Sequence, residues 1–154
     1  MEFEQTFDIA MRREALWDIL MDVHRVTQCI DGVQELVVMD SDNFEGVMAV
    51  KMGPMRLAFA GTVSVTARDR DNWRAALLMV AKDRKAGGGF NAELSMLLHS
   101  QGAQTTGLEL RLATSLTGRI GQMGRPLIKK RVETLLADFA AALIAQEING
   151  EAAR

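Results

Sequence analysis

Few side chains in this 154-residue chain combine the type and the spacing that catalysis or metal binding requires. The two histidines, His24 and His99, have no second histidine or carboxylate at metal-ligand spacing, so we expect no metal site and solvent exposure of both. The single cysteine, Cys29, has no identified histidine partner for a nucleophilic pair. We interpret Cys29 as a small buried hydrophobic residue.

Glycines recur every third residue from Gly118 to Gly124, directly before a long apolar periodicity. With Arg119 and Arg125 close by, the series is compatible with phosphate binding at a helix N-terminus, but its spacing matches neither the dinucleotide motif nor the P-loop. A mobile gate, with residues 87–89 as its partner across a cavity mouth, is the functional alternative, and plain turn geometry is the structural one. The candidate gate or membrane-contacting residues are Phe90, Met123, Arg119 and Arg125.

Basic residues surround both glycine-rich segments. They are Lys82, Arg84, Lys85, Arg119, Arg125, Lys129, Lys130 and Arg131. On one shared rim they would attract anionic lipid headgroups, at about 1 kcal/mol per basic residue near an anionic surface, while Phe90 and Met123 enter the lipid. Ordinary solvated charge is the alternative interpretation.

The strands predicted between Met55 and Thr114 alternate strictly, and their inward sets contain no aspartate, glutamate, histidine or lysine. A general acid or base must reach its substrate from inside a cavity, so this absence favours binding over catalysis. Glu35 and Lys51 lie in earlier strands, where we expect both at exposed edge positions.

Hydrophobic periodicity predicts a strand, two helices, six strands and one long helix, in that order. The strands are predicted at residues 2–9, 33–40, 44–52, 55–68, 73–81, 90–99 and 106–114, and the early helices near 12–23 and 24–30. Residues 82–89 are predicted to form a charged, glycine-rich loop. Consecutive strands joined by short turns form an antiparallel meander with one dry face, which needs a cover.

The last apolar periodicity, residues 126–148, predicts an amphipathic helix about 30 Å long. Pro126 suits its first turn, and Gly150 is its predicted stop. Because this helix is the only element long enough to cover the dry face, we predict an α+β domain with a curved seven-stranded antiparallel sheet around it. The predicted domain spans residues 1–148, and residues 149–154 form a polar tail.

Composition excludes several function classes. A hydrophobic share of 48% suits one globular domain with a full core. A net charge of -2 and a pI near 5.7 argue against nucleic-acid binding, since no basic excess drives counterion release. No window approaches eighteen apolar residues, so we expect a cytoplasmic protein without a spanning helix.

Five segments, in order along nearly the whole chain, resemble the CoxG family of carbon monoxide dehydrogenase subunits. They are residues 17–20 (WDIL) with Asp22, 29–33 (CIDGV), 50–55 (VKMGPM) with 59–63 (FAGTV), 87–90 (GGGF), and 118–124 leading into 126–128 (PLI). This family falls within the START-related, polyketide cyclase-like superfamily. The resemblance implies the helix-grip fold, in which ligands are held between sheet and helix.

The resemblance also implies a non-catalytic accessory protein that handles a quinone in its apolar cavity and helps to bring a molybdenum hydroxylase to the inner face of the membrane. No cofactor is expected apart from a bound quinone or lipid-like compound. The candidate lining residues are Leu57, Phe59, Leu77, Met79, Leu94, Met96, Leu110, Leu135 and Phe139. The alternatives are a cyclase or hydratase of the same superfamily and an interaction module with a solid core. A cavity below about 300 Å³ would favour the solid core.

Overall fold

The computed structural model of the chain describes residues 1–83, 85 and 87–152, with side chains described as far as Gln146. Arg84, predicted on the basic rim, and residues 153–154 of the predicted tail lie outside the described residues.

The element order matches the prediction, with one additional short helix. The strands are β1 (Glu2–Ile9), β2 (Val33–Val38), β3 (Asn43–Met52), β4 (Met55–Asp69), β5 (Arg74–Asp83), β6 (Gly89–Gly102) and β7 (Thr105–Leu116). The helices are α1 (Arg13–Leu20), α2 (Val23–Gln28), α3 (Gly118–Gly121) and α4 (Arg125–Ala152). Helix α3 lies where the sequence predicted only a flexible glycine segment.

All seven strands form one antiparallel sheet in the order β1-β7-β6-β5-β4-β3-β2. Strands β2 to β7 form the predicted meander, and β1 then pairs with the last strand, with Phe3 opposite Leu112 and Phe7 opposite Leu108. The first and last strands of the chain are therefore neighbours, and the predicted α+β architecture with a curved sheet and a long C-terminal helix is confirmed.

Strand alternation separates a dry concave face from a wet convex face, as predicted. On β5, Leu78 and Val80 are 43% and 48% exposed, whereas Ala81 is buried. Glu35 and Lys51 are both exposed, as expected. The alternating sequence pattern assigns residues to the correct face because neighbouring side chains of a strand must point to opposite faces.

Helix α4 begins at Arg125 and continues to Ala152, so the predicted stop at Gly150 was wrong. A glycine inside a helix costs only about 1 kcal/mol relative to alanine and does not by itself end one. Ile128, Ala140 and Leu143 are buried along the helix, and its backbone lies chiefly against β1 and β3 among the strands.

The buried apolar residues form two clusters. The α1-end cluster joins α1, the ends of β1, β6 and β7, and the later part of α4, and it includes Leu16, Ile19, Leu108 and Leu143. The glycine-end cluster joins β3, β4, α3 and the start of α4, and it includes Phe59, Ile120 and Ile128. Since Ile128 and Leu143 are fifteen residues apart on one helix, the two clusters are separated by roughly 20 Å along α4.

Candidate ligand-binding site

The nine predicted lining residues lie in different packing environments. Leu57, Phe59 and Leu110 are buried in the two clusters. The other six are half-buried, and among them Leu77, Met79 and Leu135 belong to neither cluster. These three residues mark the middle of the concave face, between the packed ends.

The sheet register places the strand residues of this middle side by side. Leu77 is opposite Leu94, Leu94 is opposite Leu112, and Leu112 is opposite Phe3. Directly opposed residues on antiparallel strands share one face of the sheet. An apolar row therefore crosses the concave face from β5 to β1, opposite α4.

Two grooves lie on the surface, beside α4 and beside α3. One, of about 580 Å³, lies between β1 and α4 and is lined by Gln5, Thr6, Phe7, Lys130, Glu133, Thr134 and Ala137. The other, of about 460 Å³, lies beside α3 and is lined by Met1, Thr114, Ser115, Leu116, Gly121, Gln122, Gly124, Arg125 and Ile128. Both are open to solvent, so neither is the enclosed cavity of about 300 Å³ or more on which the ligand-binding prediction depends. None of the nine predicted lining residues borders either groove, so their role in binding stays a prediction.

Gln5 brings a polar atom to the inner wall of the β1–α4 groove. Its Oε1 atom is buried and has no hydrogen-bond partner, although most buried polar atoms in proteins have one. The sequence placed Gln5 on the inward face of β1 but gave no reason to single it out.

Asp83 is the main residue that the sequence analysis missed. It is 4% exposed and is the last residue of β5, directly opposite Phe59 of β4. The prediction that residues 82–89 form a loop was wrong at its ends, since β5 continues to Asp83 and β6 begins at Gly89. The alternation Leu77, Met79, Ala81 continues to Asp83, and this was the signal that could have found it.

The Asp83 carboxylate bonds to the backbone of two segments. Its Oδ2 accepts a hydrogen bond from the Ala58 N–H at 2.6 Å, and its Oδ1 accepts one from the Lys85 N–H at 2.8 Å. Ala58 lies on the part of β4 that extends beyond its pairing with β5, so the side chain replaces a missing strand partner. This carboxylate joins β4 to the segment that follows β5.

The two glycine-rich segments are hydrogen-bonded to each other. The Arg119 N–H donates to the Gly87 carbonyl oxygen at 2.9 Å, and the Thr117 N–H donates to the Gly89 carbonyl oxygen at 2.9 Å. The Gly89 N–H donates in turn to the Thr117 hydroxyl at 3.0 Å. Gly88 has a φ of +116° and fits so closely that a Cβ atom there would collide with the Thr117 carbonyl oxygen. As arranged here, the segments close one end of the concave face.

The four candidate gate residues divide into two pairs. Phe90 and Met123 are half-buried against the glycine-end cluster, and Phe90 makes an edge contact with Phe59 at 5.0 Å between ring centroids. Arg119 and Arg125 are exposed. The apolar pair is thus turned toward the protein interior, while the basic pair faces solvent.

The two histidines and the cysteine, the remaining candidates for catalysis or metal binding, lie in ordinary surface or core positions. His24 and His99 are exposed, as expected, and the His99 imidazole contacts Glu109 at 3.0 Å. That hydrogen bond, with those from Arg111, holds the pKa of Glu109 below its usual value despite partial desolvation. Cys29 is buried, and burial raises the pKa of its thiol, with Arg25 opposing the shift. Among the described residues, no group of three or more histidine, cysteine, aspartate or glutamate side chains is placed to hold a metal ion.

The family model for CoxG, a carbon monoxide dehydrogenase subunit, matches residues 6–149. The chain belongs to the CoxG family. Its match covers β2 to β7, the second half of β1 and nearly all of α4, so the resemblance of the five sequence segments is confirmed. No curated protein sequence matches the chain.

Solved structures share the fold of this CoxG protein. A conserved protein from Geobacillus kaustophilus is 18% identical with a TM-score of 0.87, covering 98% of this chain and 96% of that one. A START superfamily protein from Mycobacterium smegmatis is 14% identical with a TM-score of 0.69, covering 94% and 95%. The ZhuI aromatase/cyclase from Streptomyces sp. R1128 is 14% identical with a TM-score of 0.68, covering 95% and 92%. At these identities the likeness establishes the helix-grip, START-like fold alone.

Within the described part of the chain, no helix has the length and apolar character that crossing a membrane requires.

Proposed function

We propose that this CoxG-family protein is a non-catalytic accessory protein that binds an apolar small molecule between the concave sheet face and α4. The proposed ligand is a quinone or a lipid-like compound. The proposed partner is a molybdenum hydroxylase of the carbon monoxide dehydrogenase type, which the protein assists or recruits to the membrane. Family membership supports the accessory role.

One observation carries the ligand-binding proposal. Leu77, Met79 and Leu135 are inward apolar side chains that remain half-buried although both ends of the face are packed. A solid core would bury such side chains, because each fully buried leucine or methionine contributes about 1.5–3 kcal/mol. A bound apolar molecule would remove the same surface from water.

The β1–α4 groove supports a route for the ligand. Gln5 and Phe7 belong to the inward face of β1, while Lys130 and Glu133 are on α4 at the same groove. The groove thus connects charged residues at the surface with the concave face. An amphipathic molecule would place its head near Gln5 and its apolar part against the row from Leu77 to Phe3.

The ligand proposal is tested by native mass spectrometry of the protein purified from its own cells, followed by extraction of the bound compound. We expect an apolar compound at near-unit occupancy. The matched variants are Leu77→Asn and Leu78→Asn, since these neighbours point to the concave and convex faces respectively. The bound mass should be lost in the first variant and retained in the second. Equal retention in both would contradict the site, and absence of any bound compound from wild-type protein would contradict the carrier function.

Peripheral membrane contact is proposed at the glycine end. The hydrogen bonds between the two segments bring Lys82 and Lys85 to the same end of the molecule as Arg119 and Arg125, and all four are exposed. Flotation with anionic and neutral liposomes tests the contact. Salt-sensitive flotation with anionic lipid alone is expected, and equal behaviour with both lipids would contradict it.

An enzyme of the cyclase or hydratase type is the competing function, and Asp83 is the observation that favours it. Its carboxylate is buried on the concave side, where the sequence had predicted no side chain able to act as a general acid or base. Both of its oxygens already accept backbone hydrogen bonds, which favours a structural role. Turnover of a ketone-bearing substrate that is lost in Asp83→Asn, with the fold retained by circular dichroism, would support the enzyme.

A further inference from the structure

Trp73 is in contact with two arginines. The guanidinium carbon of Arg70 lies 3.7 Å from the centroid of the indole ring, and that of Arg13 lies 4.2 Å from it. Trp17 makes an edge contact with the same indole, with ring centroids 5.8 Å apart and planes at 90°. We call Arg13, Arg70 and Trp73 the arginine–tryptophan cluster. Its members come from α1 and from the β4–β5 turn.

The turn holds the indole in a fixed position. Trp73 has a φ of +57°, a left-handed conformation that is uncommon for a bulky residue. Its N–H donates to the Arg70 carbonyl oxygen at 3.3 Å, and its own carbonyl oxygen accepts from the Leu98 N–H at 3.0 Å. The platform beneath both guanidinium groups is therefore built into the fold.

Among the described residues, no carboxylate lies within ion-pair distance of the cluster, although Glu14, Asp69 and Asp71 are its neighbours in the chain. Neither Arg13 nor Arg70 forms an ion pair in the part of the chain that the structure describes. The Nε atom of Arg13 is buried and has no hydrogen-bond partner. Burying a donor without a partner costs free energy, and two guanidinium groups on one ring also repel each other.

The start of α1 adds to this charge. Arg13 is the first residue of α1, and Arg12 at the N-cap forms no side-chain cap. Uncapped N–H groups and the helix dipole make this end of the helix positive, where a basic side chain is unfavourable. Two guanidinium groups stacked on one indole and a helix end of the same sign thus lie in one region, and an anion bound beside them would offset their positive charge.

We propose that the arginine–tryptophan cluster binds a phosphate group. Stacking on an indole leaves the N–H edge of a guanidinium free, and that edge matches phosphate oxygens with two parallel hydrogen bonds. The phosphate belongs either to a lipid headgroup or to a free phosphorylated compound. The site lies at the α1 end and is independent of the basic residues near the glycine loops.

Binding of inorganic phosphate tests the site directly, by phosphorus NMR titration and by the shift in Tm between phosphate and chloride at equal ionic strength. The variants are Arg70→Met and Arg13→Met, and Arg74→Met is the matched control. Arg74 follows Trp73 directly, is exposed and pairs with Leu97 on the convex side. Among the described arginines, only Arg13 and Arg70 stack on this indole. All three variants lose the same charge, so general electrostatic attraction affects them equally.

We expect Arg70→Met and Arg13→Met each to weaken phosphate binding about tenfold or more, because each removes a charge-assisted hydrogen bond. We expect the control, Arg74→Met, to weaken it less than about threefold. Arg70 is exposed, so its variant keeps the test valid if Arg13→Met fails to fold. Equal losses in Arg70→Met and Arg74→Met, or phosphate binding no tighter than chloride binding, would overturn the proposal.

Vesicles distinguish the two sources of phosphate. Flotation with phosphatidic acid in phosphatidylcholine that is reduced by Arg70→Met but not by Arg74→Met assigns the site to a lipid headgroup. Unchanged flotation in Arg70→Met, together with its loss of inorganic phosphate binding, assigns the site to a free phosphorylated compound. Both assignments support a phosphate site, and vesicle flotation without any phosphate binding in solution would contradict it.

Discussion

The two ends of the concave face are closed by different kinds of interaction. At the α1 end, Leu16, Ile19, Leu108 and Leu143 are fully buried and pack against one another. At the glycine end, closure depends on the backbone hydrogen bonds between Gly87–Gly89 and Thr117–Arg119 and on those of the Asp83 carboxylate, in addition to a smaller set of buried side chains. Apolar packing is non-directional and cumulative, whereas hydrogen bonds at a surface exchange readily with water.

This difference indicates which end can open for a ligand. Separating the two glycine segments would break a few hydrogen bonds that water can replace, while opening the α1 end would expose several large apolar side chains. Local opening occurs where few buried apolar contacts must be lost. We therefore infer that the domain opens more easily at the glycine end than at the α1 end.

The largest expected effect is at the α1 end. Leu143→Ala removes a fully buried side chain and should lower the free energy of unfolding by about 2–5 kcal/mol, as measured by urea denaturation. Leu135→Ala removes the same atoms from a half-buried position on the same helix and should cost less than half as much. Equal losses would mean that the middle of the face is packed as tightly as its end.

Removing the Asp83 carboxylate should lower the free energy of unfolding more than removing an exposed carboxylate that accepts the same number of backbone hydrogen bonds. Asp83→Ala leaves the Ala58 and Lys85 N–H groups without this partner and should cost about 2–3 kcal/mol. The control is Asp22→Ala, because Asp22 also accepts from two backbone N–H groups, those of His24 and Arg25, at an exposed helix cap. The control should cost about 1 kcal/mol. A loss no larger in Asp83→Ala would contradict its role in closing the glycine end.

Adjacent glycines test the contact between the two segments. Gly88→Ala places a Cβ against the Thr117 carbonyl oxygen, whereas Gly87→Ala meets nothing within 4 Å among the described residues. Both positions have positive φ. Gly87 at +72° lies close to the left-handed helical region, where alanine pays about 1–2 kcal/mol, whereas Gly88 at +116° lies outside it and adds a larger backbone cost to the collision. Gly88→Ala should lose more stability and show faster amide exchange at Arg119 and Gly89. Equal behaviour would show that the segments separate without cost.

The smallest effect concerns charges on the convex side near the α1 end. The pKa of Glu109 is lowered by hydrogen bonds from His99 and Arg111, so this carboxylate stabilises the fold above its unfolded-state pKa. That contribution is lost as pH falls through the lowered folded-state pKa. Stability curves of wild type and Glu109→Gln should therefore differ at neutral pH and converge in acid. A gap that persists once the carboxylate is protonated would show that Glu109 acts through packing.

The face of the sheet on which each candidate strand residue lies followed from the sequence. Alternation assigned Leu77 and Met79 to the concave face and Leu78 to the convex face, because strand geometry leaves no other option. Periodicity also identified α4 as the cover. It could not separate Leu57, which is buried in a cluster, from Leu77, which is not, because packing density depends on elements distant in the chain.

What the sequence alone determined was therefore the order of the seven strands and of every helix except α3, the two faces of each strand and membership in the family. Tertiary structure decided which distant groups meet: Asp83 with the Ala58 backbone, Gly87 with Arg119, and Arg13 with Arg70 on one indole. Periodicity is fixed by local backbone geometry, whereas these contacts depend on how the sheet curves and where α1 and α3 pack. Local sequence periodicity therefore does not predict these long-range contacts.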